Sequence, residues 1–245
     1  MTAEKLKSAL RELRFGLLLR VSVFLLLMRF MSDGGIAPAV LFVFGAVFLY
    51  ARPTFNALPF LASFAGMVIL AMLMPFAFQG TAYDIAVLAL AGLFYILLRL
   101  KELLFIRRLW WHEALHAGVL YLATLGYFLT EPRDSFFLKH LLLGALFFFL
   151  ANELFAAHGR IGASARHRAS AAVFALLFLE VVWALALLPI GYASATGIAA
   201  LFAFLLLHLG VFAASDILRP QTVLRYTAIV LAFVFLIALL SQWTV

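Results

Sequence analysis

Residues 195–214 read ATGIAALFAFLLLHLGVFAA, twenty positions without a formal charge. A helix of about 20 apolar residues is what a bilayer's hydrocarbon core of roughly 30 Å requires. Working outward, eight more apolar segments recur along the 245 residues: about 15–32, 36–51, 58–78, 82–99, 109–129, 136–157, 169–191 and 226–243. Turn-forming stretches separate them, among them SDGG (32–35), TEPRDS (130–135), GRIGAS (159–164) and LRPQT (218–222). The chain is 67% hydrophobic and 12% charged, about half the charge content of a soluble domain. This pattern predicts an all-α, polytopic transmembrane bundle of about nine spans, forming a single integral membrane domain over 15–245. Residues 1–14 (MTAEKLKSALRELR) set Leu6, Leu10, Leu13 and Leu17 on one stripe, which predicts an interfacial amphipathic helix; no cleavable leader is expected.

Loop charge tests the count. Lys5, Lys7, Arg11 and Arg14 precede the first span, and Arg52 lies in the second connection. Arg99, Lys101, Arg107 and Arg108 fall in the fourth, Arg160, Arg166 and Arg168 in the sixth, and Arg219 and Arg225 in the eighth. The alternate set holds only Arg133 and Lys139. Lys and Arg collect on the cytoplasmic side, so the N-terminus is expected in the cytoplasm and the C-terminus outside. The expected location is a prokaryotic cytoplasmic (inner) membrane. The net charge of +7 then orients the chain among membrane lipids, and no nucleic-acid partner is expected. The absence of cysteine excludes disulfides, thiol catalysis and Cys-ligated zinc or iron–sulfur centres.

One span carries chemistry. His112-Glu113-Ala114-Leu115-His116 spells H-E-x-x-H. Positions i and i+4 share a helix face, so two imidazoles can grip one zinc ion while the Glu between them acts as general base. Ionisable groups inside a bilayer are expensive and need a reason to be there. The expected topology sets further polar residues at a similar depth under the cytoplasmic face: Asn152 and Glu153 on the sixth span and His208 on the eighth, with Asp216 at that span's end. Glu180 on the seventh span reaches about mid-membrane. A catalytic zinc takes three protein ligands, and two His with one Glu is a known set. The expected ligands are His112, His116 and Glu153, with His208 as the competing third ligand or an oxyanion-stabilising group. Glu113 is the expected base, and Asn152 a hydrogen-bonding group for substrate backbone.

HEALH inside a span resembles the intramembrane zinc metalloproteases, of the site-2 protease group and of the CAAX-prenyl endopeptidase group. The resemblance implies His112 and His116 as zinc ligands and Glu113 as base. The site-2 group takes a third ligand from an L-D-G segment, where this chain has Ser215-Asp216-Ile217 without the Gly. The prenyl-type group takes a Glu in an E-x-x-x-D pattern, where Glu153 is followed by Ala157 and His158 and the Asp is missing.

Plainer roles compete at each position. The motif can be a polar helix cap paired with Arg107 or Arg108, and Glu153 can pair with Arg160. Glu180 can be a protonated structural acid or pair with Arg20, and Asp216 can pair with Arg219 in a solvated loop. His140 reads as a snorkelling interfacial residue, and His158 and His167 as surface residues. The leading function is a zinc-dependent intramembrane hydrolase, a peptidase acting on a membrane-embedded or juxtamembrane substrate. The alternatives are a haem- or pigment-binding subunit using His116 and His208, a small proton- or ion-coupled transporter, and a structural subunit of a membrane protein complex.

Overall fold

The computed structural model describes residues 3–32, 35–52, 60–101, 108–130, 136–158 and 164–241. Among them the chain forms nine α-helices: α1 (Ala3–Met31), α2 (Ile36–Ala51), α3 (Leu61–Ala77), α4 (Gly80–Lys101), α5 (Arg108–Leu129), α6 (Phe136–His158), α7 (Ser164–Leu187), α8 (Tyr192–Ala214) and α9 (Pro220–Leu240). The all-α expectation holds. Among the described residues, five helices are long and apolar enough to cross a membrane: α4, α6, α7, α8 and α9. The apolar helices α2 and α3 are shorter, at 16 and 17 residues. α5 has 22 residues but is not among the five, because its first turns carry two His and a Glu. α1 runs as one unbroken helix through the boundary expected at residue 14. The side chains of the Leu6, Leu10 and Leu13 stripe lie outside the described residues, as do those of Arg107, Arg108 and Arg160.

The helices fall into two compact units, Met1–Trp111 and His112–Val245. In the first, α1 packs on α2 and α4, and α3 on α4. Phe24 of α1 stacks on Phe94 of α4, centroids 4.1 Å apart, and both rings are fully buried. Arg29 pairs with Asp84 at the ends of α1 and α4. Lys101, expected as a loop charge, is instead fully buried. Its ammonium donates to the backbone carbonyl of Tyr50 and lies over that residue's ring. A cation at the last turn of α2 satisfies a carbonyl left open by the helix end.

In the second unit, α6 packs on α7 and α8, α7 on α8, and α8 on α9. Phe147 of α6 stacks on Phe178 of α7 at 4.6 Å. α9 begins at Pro220, whose ring fits the first helical position. α8 ends where Asp216 turns to φ 56, a conformation that Asp tolerates better than most residues.

His140, expected as a snorkelling interfacial residue, is half-buried and bonded through both ring nitrogens. Tyr127 of α5 donates its hydroxyl to His140 Nδ1 at 2.9 Å, and His140 Nε2 donates to the Leu179 carbonyl of α7 at 3.3 Å. One imidazole therefore ties three helices, because its two nitrogens play opposite roles. Tyr127→Phe removes the donor and leaves Nδ1 without that bond. The expected loss is about 0.5–1.5 kcal/mol, read as a lower unfolding midpoint in mixed micelles.

Candidate metal centre

α5 presents His112 and His116 one turn apart, their ring centroids separated by 4.5 Å. α6 brings Glu153 against both. His112 Nε2 lies 3.3 Å and His116 Nε2 3.1 Å from the same oxygen, Glu153 Oε1. The three side chains are 2%, 0% and 7% exposed. Each offers a ligand atom, and the three atoms lie within 4.8 Å of one another. This buried group can hold a metal ion.

The geometry can be tested against an ion's needs. Zinc bonds to nitrogen and oxygen of about 2.0–2.1 Å set tetrahedral ligand atoms roughly 3.3 Å apart. The two His–Glu separations, 3.3 and 3.1 Å, already match that edge. The donor set is also chemically apt, since two neutral imidazoles and one carboxylate leave a coordination position for substrate or water. The residues fit the group.

Glu113 takes a different partner. On the helix it lies about 100° round from His112 and 60° from His116. Both its oxygens sit 3.2 Å from His208 Nδ1, which donates to them. Glu113 is 4% and His208 14% exposed in the side chain. The His208 ring is bracketed by Phe204 (5.6 Å, interplanar 13°) and Phe212 (4.8 Å, 87°) of α8 and by Tyr226 (4.5 Å, 69°) of α9. His208 is thus placed on the expected base, and Glu153 occupies the position of third donor.

The other sequence candidates separate. Asn152 is half-buried next to Glu153. Glu180 is exposed on α7. Asp216 pairs with Arg166 of α7 at 3.3 Å rather than with Arg219, because the α8 terminus folds back on the start of α7. None of these three belongs to the triad.

Two histidines read as surface residues are not. His158 is half-buried, and its ring centroid lies 5.4 Å from that of His112. Its Nδ1 donates to the Leu154 carbonyl at 3.0 Å, and its own carbonyl accepts from Ser215 Oγ at 3.1 Å. The depth argument that paired Glu153 with the motif would have found it, because one further turn along α6 brings the chain level with the start of α5. His167 is 5% exposed. Its neighbours Arg166 and Arg168 are exposed, which disguises a buried position in the sequence.

No family model, curated protein or solved structure matches this chain.

Proposed function

We propose that the protein is a zinc-dependent intramembrane hydrolase, a peptidase that cuts a membrane-embedded or juxtamembrane segment near the cytoplasmic face. The observation that carries this reading is the buried His112, His116 and Glu153 triad with a second buried carboxylate, Glu113, inside the same H-E-x-x-H motif. A bound zinc supplies Lewis acidity and makes water nucleophilic near neutral pH. His112, His116 and Glu153 hold the ion. Glu113 accepts a proton from the attacking water and delivers it to the leaving amine. The low exposure of the three side chains limits bulk water at the site.

The proposal includes nine spans, a cytoplasmic N-terminus and an outside C-terminus in a prokaryotic inner membrane, supported by the loop charges. Lipids and a membrane-embedded substrate are the partners, and assembly with other membrane proteins is compatible with the short loops. Haem ligation is the weaker reading, because His116 and His208, the imidazoles it needs, each face a different carboxylate. Two His and one carboxylate also suit non-haem iron, so the identity of the metal matters.

The test is metal analysis of the full chain purified without chelators, beside Glu113→Gln. About one zinc per chain in both, with hydrolysis of a quenched transmembrane peptide only in wild type, is expected. A wild type without metal removes the proposal, and iron in place of zinc redirects it to redox chemistry.

A further inference from the structure

We infer that His208 is a positioning residue for Glu113, an inference that rests on the hydrolase reading above. His208 Nδ1 stands 3.2 Å from each carboxylate oxygen. A donor shared evenly by two oxygens lies on the bisector of the carboxylate and fixes the direction in which the group points, whereas a bond to one oxygen lets the group pivot about that oxygen. The imidazole is itself fixed. Phe204 and Phe212 flank it one turn to either side on α8, and Tyr226 closes it from α9. Glu113 on α5 is thereby registered against two other helices. A carboxylate that must meet an attacking water has to be held within a few tenths of an ångström, and supporting groups of this kind supply that order.

The contact has a second consequence. With Nδ1 donating, the Nε2 of a neutral His208 is an acceptor. It is buried and has no hydrogen-bond partner among the described residues. His208 is therefore committed through one nitrogen, and that nitrogen serves Glu113. It is not a ligand of the triad.

The experiment loads the full chain in detergent micelles with Co2+ and titrates acetohydroxamate, following the visible absorbance of the metal. A hydroxamate chelates the ion and gives its proton to the neighbouring base, so its affinity reports the carboxylate's placement without any substrate. In His208→Ala, cobalt stoichiometry and the hydroxamate-free spectrum stay as in wild type, while hydroxamate affinity falls about tenfold. His208→Gln, which keeps an N–H donor, recovers most of that loss. Glu113→Ala also weakens hydroxamate, and the Glu113→Ala/His208→Ala pair is no weaker than Glu113→Ala alone, as residues acting through one another require.

Unchanged affinity in His208→Ala overturns the inference, as do losses that add in the pair. Loss of cobalt in His208→Ala overturns it in favour of ligation, provided His208→Gln elutes as a folded monodisperse species. A wild type that takes cobalt but no hydroxamate also overturns it. A wild type that takes no cobalt overturns the hydrolase reading itself, and the inference with it.

Discussion

Replacing His116 by Ala is expected to strip the protein of its metal. His116 is fully buried, and its Nε2 lies 3.1 Å from Glu153 Oε1. Ala leaves two donors, too few to hold a zinc ion against water. Metal content by mass spectrometry falls from about one ion per chain to below about a tenth. Glu153→Ala has the same effect, because it also removes the negative charge that offsets the ion in a low-dielectric site. His208→Ala and Glu113→Gln both keep the metal. This division of four variants into two classes separates ligands from the groups that act beside them. A His116→Ala protein that retains full occupancy shows that the triad is not the metal site.

Gly210→Ala is expected to destabilise the second unit by about 1–3 kcal/mol, an overpacking effect. A Cβ at Gly210 overlaps the ring edge of Phe155 on α6 and also crowds the ring of Phe174 on α7. Phe155 is fully buried, so its ring has no free space to swing into. The backbone of α8 therefore lies directly against two aromatic rings, and only Gly allows the approach. Gly92→Ala is the control. It is exposed in α4 with nothing within 4 Å of its added Cβ, and Ala there stabilises a helix by about 0.5–1 kcal/mol. The thermal midpoint in detergent moves down for the first variant and is level or up for the second. Phe155 lies two residues from Glu153 and Gly210 two from His208, so metal affinity falls with Gly210→Ala as well. Equal midpoints in the two variants remove the close-approach argument.

The helices were legible because their signal is local and repeated. Apolar runs broken by Gly, Pro and Asp anticipated the nine helices found among the described residues, with α2 bounded at 36 and 51 as expected and α9 starting earlier, at Pro220. Lys101 was read as a loop charge because charge implies solvent on average. In the fold it meets the carbonyl and ring of Tyr50, 51 residues away, a partner that no local pattern announces. His158 and His167 were assigned to the surface by the same averaging, yet His167 is buried and His158 is half-buried with its ring bonded to the Leu154 carbonyl.

By itself, the order of residues determined that the chain is helical and apolar enough for a membrane, and that His112 and His116 share a face. Both follow from periodicity, since hydrophobic length and the 3.6-residue turn act within one segment. Only the tertiary structure decided which carboxylate meets which imidazole. Glu153 joins the two motif histidines and Glu113 turns to His208, because the rotation of α6 and α8 about their axes is set by aromatic packing between helices. That rotation is a long-range property, and no spacing within a single helix encodes it.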